Sequence, residues 1–204
     1  MKQPNPRRAP AMLATLVALA AILMLAACGR NSAAPPAPTP SVRIDELPEG
    51  LGRGYPLGSV AGGNDETGIA VGKRAPNFRL TLDDGRALTL HDLQGRPVVI
   101  NFWATWCGPC RLEMPELVRA ANTIPNLVVL AVNVQEQRPQ IEAFAKDFAM
   151  EMPIVRDETG DVQNLYQIRG MPTTYFVDGD GVVRAVWAGV LTPERLAKLL
   201  DEIM

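Results

Sequence analysis

Residues 97–111 read PVVINFWATWCGPCR, an apolar run that leads directly into two cysteines separated by two residues. The stretch 98–103 is almost continuously apolar, which is typical of a strand buried on both faces. Beyond it, apolar side chains recur with helical spacing at Cys110, Met114, Leu117, Val118 and Ala121. The pattern predicts that a buried strand ends, and a helix begins, at the cysteine pair.

That position has a chemical consequence for the two thiols. Unpaired N–H groups and the helix dipole favour an anion at a helix N-terminus, and the thiolate is the reactive form of cysteine. We therefore expect Cys107 to be exposed, with a lowered pKa, and to attack. Cys110 lies one turn further on the apolar stripe and is expected to resolve the mixed disulfide. Gly108 permits the tight turn, and Pro109 suits the first helical turn.

Two other interpretations of the cysteine pair are a static disulfide and half of a zinc site. Zinc needs about four ligands, whereas the chain offers one histidine and no second cysteine pair beside this one. We expect that histidine, His91, to be a surface residue. A static disulfide that closes so short a loop would constrain the unfolded chain little. The pattern favours a redox-active pair, with no metal and no cofactor.

Elements on both sides of this junction predict the fold class. A β-hairpin turns at Asp83-Asp84-Gly85, and Thr192 can cap a last helix that begins with Pro193. The predicted order is β-hairpin, β, α, β, α, β-hairpin, α. We therefore expect an α/β fold with a mixed sheet flanked by helices, an N-terminal β-hairpin and a central helical insert. The remaining elements are predicted at 127–134, 141–148, 173–177 and 182–188.

The N-terminal segment resembles an export signal. Lys2, Arg7 and Arg8 precede an apolar stretch from Met12 to Leu25, which is short for a membrane span of about 20 residues. It ends in Leu25-Ala26-Ala27-Cys28, which resembles the lipobox of bacterial lipoproteins. We predict a lipoprotein signal peptide at 1–27 and lipidation of Cys28. The alternative is an uncleaved anchor with an incidental thiol, and both place the rest of the chain outside the cytoplasm.

The next segment is rich in proline and glycine. Residues 33–40 read AAPPAPTP, and glycines and prolines continue from Pro48 to Gly63. We predict a lipid-anchored flexible linker at 28–72 that buries nothing, followed by the folded domain at 73–204. The net charge of −2, without a basic stripe, argues against a nucleic-acid partner.

Residues 103–111 strongly resemble the active-site segment of the thioredoxin superfamily, and 170–176, GMPTTYF, resemble its cis-proline loop. The resemblance implies a fold of that family, with Pro172 in cis beside the disulfide. Met171 would then recognise substrate through its backbone, and Trp106 would form an apolar wall over the sulfur.

A narrower resemblance is to the TlpA/ResA-like branch. It is carried by APNF at 75–78, NFWATWC at 101–107, EMPEL at 113–117 and the predicted insert, and it covers 71–204. It implies an extracytoplasmic, membrane-anchored thiol–disulfide oxidoreductase in the periplasm. The expected activity is reduction of disulfides in exported proteins, with cytochrome or oxidase maturation as candidate pathways. A membrane thiol-transporting reductase would supply electrons.

One departure from the superfamily concerns proton transfer. Ordinary thioredoxins have a buried acid where this chain has Asn101, and an amide cannot titrate. Glu113, three residues after Cys110, is our candidate for that role, and the alternative is a solvated carboxylate on the helix surface. The cytochrome-maturation branch usually has an acid after the cis-proline or between the cysteines, where this chain has Thr173 and Gly108-Pro109.

The same fold can support two other functions, a copper chaperone and a thiol peroxidase. A copper chaperone needs a wider-spaced cysteine pair and a downstream histidine, but no histidine follows His91. A thiol peroxidase expects threonine three residues before its cysteine and proline seven before, where this chain has Ala104 and Ile100. Both remain alternatives to disulfide reduction.

Overall fold

The computed structural model describes residues 41–62 and 66–204. The predicted signal peptide at 1–27 and the predicted lipidation site Cys28 lie outside these residues. Within the described part of the chain, no helix combines the length and the apolar character that a membrane crossing needs.

The described residues form one eight-stranded mixed sheet in the order β3-β2-β1-β6-β5-β4-β7-β8. β4, β5 and β6 are mutually parallel neighbours, whereas β7 and β8 join as antiparallel strands. Parallel neighbours need crossover connections, which the helices supply. The strands are β1 (Leu57–Val60), β2 (Phe78–Thr81), β3 (Ala87–Thr89), β4 (Val98–Trp103), β5 (Val128–Val134), β6 (Ile154–Asp157), β7 (Thr173–Val177) and β8 (Val183–Ala188).

Four α-helices accompany the sheet in the described residues: α1 (Gly108–Thr123), α2 (Arg138–Phe148), α3 (Asp161–Leu165) and α4 (Pro193–Asp201). The mixed sheet flanked by helices is confirmed, with the predicted hairpin as β2–β3 and the predicted helical insert as α2. Thr192 caps α4 as expected, because its Oγ1 accepts the N–H of Arg195 at 3.3 Å.

β4 is buried along its whole length, as its apolar run predicts. Ile100 and Phe102 belong to one hydrophobic cluster, and Val99 and Trp103 to another. Successive side chains of a strand point to opposite faces, so β4 contributes to the packing on both sides of the sheet. The second cluster also contains both cysteines and the apolar sides of α1, α2 and α4. We call it the cysteine-side cluster.

Residues 41–62 form an ordered N-terminal strap on the domain. Leu47 and Tyr55 are buried, and β1 lies in the sheet between β2 and β6. The prediction that 28–72 is a flexible linker that buries nothing is therefore wrong for the strap. Its glycines permit packed turns: Gly52 has a φ of +65°, and a Cβ there would overlap the Tyr55 ring.

Candidate active site

The two cysteines lie at the junction of β4 and α1. Cys107 is the N-cap residue of α1, and its Sγ accepts the N–H of Cys110 at 3.2 Å. A disulfide joins the two residues. Pro109 lies in the first turn of the helix, where its missing N–H removes no helical hydrogen bond. The structure thus places the pair at the strand–helix junction that the sequence predicts.

Cys107 is nearly buried, which contradicts the exposed position predicted for it. In this disulfide form Cys107 is 4% exposed and Cys110 is 0% exposed. The bond to Cys110 holds the Cys107 side chain against the apolar stripe of α1, where both residues pack in the cysteine-side cluster. Cys107 is still the more accessible of the two. Only a small part of Cys107 is therefore open to an incoming sulfur in the disulfide form.

The residues next to Cys107 in the chain are exposed. Trp106 is 72% exposed, and Gly108 and Pro109 are also classed as exposed. The Trp106 indole therefore offers free apolar surface immediately before Cys107. Its role as an apolar wall over the sulfur stays a prediction.

The Met171–Pro172 peptide bond is cis. Both residues line a groove of about 350 Å³, whose other walls come from Gln167–Gly170, Thr173, Tyr175, Ala188 and Gly189. Met171 is partly buried and packs against the cysteine-side cluster. Met171 also packs against the other cluster, to which the groove residues Ile168 and Tyr175 belong. Substrate recognition at Met171 and Pro172 stays a prediction.

Glu113 is fully buried, so it is not the solvated surface carboxylate that the sequence left open. Its Oε1 accepts the side-chain N–H of Asn101 at 2.7 Å, and its Oε2 accepts the backbone N–H of Leu191 at 2.8 Å. Burial raises the pKa of Glu113 to about 7, although these two hydrogen bonds oppose the rise. Glu113 can therefore exchange a proton near neutral pH.

The loop between β8 and α4 links Glu113 to the groove. The N–H of Gly189 donates to the carbonyl oxygen of Pro172 at 2.9 Å, and two residues later Leu191 donates to Glu113. The buried carboxylate and the cis-proline are thus joined through one short segment. Sequence spacing gave no signal for Leu191, because its partner is distant along the chain.

Glu136 is another residue that the sequence analysis missed. Its Oε2 accepts the backbone N–H of Thr105 at 2.7 Å and the side-chain N–H of Asn133 at 2.7 Å. Its Oε1 accepts the hydroxyl hydrogen of Thr105. Because Thr105 is two residues before Cys107, this carboxylate anchors the loop that carries the cysteine.

Among residues 41–62 and 66–204, no group of three or more His, Cys, Asp and Glu side chains is arranged to hold a metal ion. His91 is partly buried, and so less exposed than the surface residue predicted. Its Nε2 is 3.0 Å from the carbonyl oxygen of Ala75, and its backbone N–H donates to Asn77.

Comparison with known proteins places the chain in a family. The profile of the AhpC/TSA family matches residues 71–186. Thiol-disulfide oxidoreductase ResA of Geobacillus thermodenitrificans (strain NG80-2) is 38% identical over 141 residues, which is 68% of this chain and 81% of that protein. Thioredoxin-like protein YneN of Bacillus subtilis (strain 168) is 36% identical over 140 residues, 67% of this chain and 82% of YneN.

Solved structures show the same fold. A Chlorobium tepidum protein provisionally named thiol:disulfide interchange protein DsbE superposes with a TM-score of 0.60 and 28% identity, covering 66% of this chain and 97% of its own. The pneumococcal exposed lipoprotein thioredoxin Etrx1 of Streptococcus pneumoniae strain TIGR4 has a TM-score of 0.54 and 25% identity, with coverage of 62% and 99%. The chain belongs to the AhpC/TSA family, and its relatives, its thioredoxin-like fold and its cysteine pair identify it as a thiol–disulfide oxidoreductase of the ResA-like kind.

Proposed function

We propose that this oxidoreductase reduces disulfides of exported proteins on the extracytoplasmic side of a bacterial membrane, held there by a lipid on Cys28. The observation that carries the proposal is the Cys107–Cys110 disulfide at the N-terminus of α1, with the titratable Glu113 buried one turn behind it. The groove at Pro172 supplies a surface for an extended substrate segment.

In the first step, the reduced protein attacks through Cys107. The N-terminus of α1 favours its thiolate form. Its sulfur bonds to one sulfur of the substrate, the substrate S–S bond breaks, and the released substrate sulfur takes up a proton. In this step Trp106 supplies apolar contact and the backbone at Met171 aligns the substrate.

In the second step, the Cys110 thiol passes its proton to the Glu113 carboxylate and its sulfur attacks Cys107. The mixed disulfide breaks, and the second substrate sulfur leaves and takes up a proton. Two electrons have moved from the protein dithiol to the substrate disulfide. A carboxyl group with a pKa of about 7 suits this exchange, because both of its protonation states are populated near neutrality.

The direction of the reaction is proposed from the residues between the cysteines. Gly108-Pro109 resembles thioredoxin, whose potential is roughly −270 mV, rather than a strong oxidant such as DsbA near roughly −120 mV. A reductase outside the cytoplasm needs an electron source, and we propose a membrane thiol-transporting reductase. Cytochrome and oxidase maturation are the candidate pathways.

A trapping experiment tests the roles of the cysteines. Cys110→Ser should accumulate mixed disulfides through Cys107, because the resolving sulfur is gone. The matched control is the Cys107→Ser, Cys110→Ser double variant, which should trap nothing. Equal non-reducing gel profiles for the two variants would refute the assigned roles. A measured potential near that of DsbA would make the protein an oxidase.

The anchor is tested separately. Cys28→Ala should move the chain from the membrane fraction to the soluble extracytoplasmic fraction without changing the potential of the cysteine pair. An unchanged membrane fraction would indicate an uncleaved N-terminal anchor. The lipoprotein nature of Etrx1 supports the proposal by similarity only.

Two assays address the alternative functions. Tight stoichiometric binding of Cu(I) by the reduced protein would support a copper chaperone, and rapid peroxide consumption would support a thiol peroxidase. We expect neither activity at a rate or affinity comparable with disulfide exchange.

A further inference from the structure

Two buried amide oxygens near the active site, Asn101 Oδ1 and Asn133 Oδ1, have no hydrogen-bond partner among the described residues. On β4, Asn101 Oδ1 and Trp103 Nε1 are both buried without a partner in that part of the chain, and only the first is an acceptor. Asn101 itself is 0% exposed. Leaving a buried acceptor unpaired costs free energy, because the hydrogen bonds it would make with water are not replaced. Such a cost at the centre of a site suggests a second state in which the oxygen is paired.

The amide of Asn101 is held in one orientation. Its Nδ2 donates to Glu113 Oε1 at 2.7 Å and to Thr174 Oγ1 at 2.9 Å. These two bonds use both N–H groups that an amide possesses. While Glu113 is ionised, rotating the amide by half a turn would place its oxygen against a carboxylate oxygen, and neither could donate. Its oxygen is therefore fixed on the side away from Thr174 and Glu113.

The same contacts place the amide close to Cys110. Asn101 shares a strand face with Val99 and Trp103, which pack in the cysteine-side cluster. Its partner Glu113 is three residues after Cys110 on α1, and side chains at that spacing are neighbours on a helix surface, about 5–6 Å apart at Cβ. The amide thus lies against α1 within one turn of the resolving cysteine.

We propose that Asn101 Oδ1 accepts the S–H of Cys110 in the reduced protein. In the disulfide form the Cys110 sulfur carries no hydrogen, and the oxygen has nothing to accept from it. Reduction by a dithiol breaks the S–S bond and adds two electrons and two protons, while the donor becomes a disulfide. Cys110 then carries the hydrogen that the fixed oxygen receives.

This inference depends on the thiol–disulfide exchange and not on the proposed direction of the reaction. It is connected to the proposed function through Glu113. The amide that receives the Cys110 hydrogen also binds this proposed proton acceptor. Asn101 cannot titrate. Its role would be to hold the Cys110 thiol next to the hydrogen-bonded pair of Asn101 and Glu113.

Among the described residues, Glu113 is the charged side chain that forms a hydrogen bond with the Asn101 amide. Thr174 faces it from β7 and Glu113 from α1, and the N–H of Leu191 occupies the other Glu113 oxygen. Within residues 41–62 and 66–204, no charged side chain contributes to the pKa shift of Glu113. Besides Glu113, the titratable groups at the site are the thiols of Cys107 and Cys110 in the reduced state and Glu136, which binds Thr105.

The pairing has a definite effect on the redox equilibrium. An acceptor that is unpaired in the disulfide form and paired in the dithiol form destabilises the first and stabilises the second. Asn101→Leu removes both effects, so it should shift the equilibrium with glutathione about tenfold toward the disulfide, a potential lower by about 30 mV. Thr174→Val, the matched control, keeps the acceptor and should shift it less than threefold. Equal shifts in the two variants would contradict the proposal.

A spectroscopic readout keeps this test independent of Glu113 and of folding. In the full chain with Cys28→Ser and Cys107→Ser, the S–H stretching band of Cys110 should move to higher wavenumber when Asn101→Leu is added. In the otherwise unmodified chain, the side-chain carbonyl ¹³C resonance of Asn101 should move on reduction. A constant S–H band or a constant resonance would overturn the assignment. If Glu113→Gln left the exchange rate unchanged, Glu113 would not be the proton acceptor of the proposed function. The S–H band and the ¹³C resonance would still test the hydrogen bond between Asn101 and Cys110.

Discussion

Two buried carboxylates, Glu113 on α1 and Asp157 at the end of β6, have contrasting surroundings. Both are 0% exposed. Asp157 accepts the backbone N–H groups of Val162 at 3.1 Å and Gln163 at 2.7 Å, both from α3. Glu113 instead joins a strand amide to the loop before α4. One carboxylate caps a helix, and the other connects separate elements beside the disulfide.

Burial raises the pKa of both groups, and in both cases hydrogen bonds oppose the rise. Glu113 reaches about 7 with one backbone N–H and one neutral amide as its donors. Burial alone therefore does not identify a group that works in catalysis. What distinguishes Glu113 is its place one turn behind Cys110 on α1.

The largest effect on the rate of disulfide exchange is expected for the nucleophile, Cys107. Cys107→Ser should lower disulfide exchange by about 10³-fold or more, because no other group can form the mixed disulfide. The rate with a model protein disulfide measures it. Asp157→Asn should remain within about twofold of the unmodified protein. A similar loss in both variants would mean that the assay follows folding and not chemistry.

The next effect separates the two carboxylates directly. Glu113→Gln keeps the shape of the side chain but cannot take a proton, so resolution of the mixed disulfide should slow by about 10²–10³-fold. The pH dependence near 7 should disappear with it. Stopped-flow rates from pH 5 to 9 measure both changes. A profile that keeps its inflection near 7 would assign the proton transfer to another group.

The pH dependence of stability gives a smaller effect with a definite sign. Between its usual value of 4.5 and about 7, folded Glu113 keeps a proton that the unfolded chain has lost. The free energy of unfolding of the disulfide form should therefore fall as pH rises through this window, by about 3 kcal/mol relative to Glu113→Gln. The titration of Asp157 cancels in the difference between the two free energies of unfolding, because both proteins contain this residue. A constant difference from pH 4 to 8 would show that the pKa of Glu113 is not raised.

The smallest effect belongs to the structural carboxylate. Asp157→Asn keeps one carbonyl oxygen but replaces the second acceptor with a donor, so α3 should lose about 1–2 kcal/mol of stability. Denaturant unfolding of the disulfide form measures the loss. The reduction potential should stay the same, since Asp157 contacts α3 and not the cysteine pair. A changed potential would show that Asp157 and the cysteine pair are energetically coupled.

The active-site segment was predictable because its signals are local. The apolar run of β4 predicts burial on both faces, and the spacing after Cys110 predicts the apolar side of α1. The hairpin at 83–85 carries a turn signal of its own. These predictions depend on neighbours within a few residues, whereas the cis-proline was predicted from the resemblance of 170–176 to a family loop.

The missed features depend on partners that are distant in sequence. The strap has the composition of a linker, yet it is ordered because Leu47 and Tyr55 are buried and β1 pairs with β2 and β6. β6 and α3 are too short for periodicity to reveal them. Glu136 reaches Thr105 across 31 residues.

The cysteine pair, its place between strand and helix, and the class of sheet follow from the sequence, because side-chain spacing and turn chemistry act over short distances. The burial of Glu113 and the covering of Cys107 in the disulfide form arise only when the chain folds. Helical spacing places Glu113 at the edge of the apolar stripe. Whether that edge meets water depends on Asn101 and Leu191, which only the folded chain brings to it.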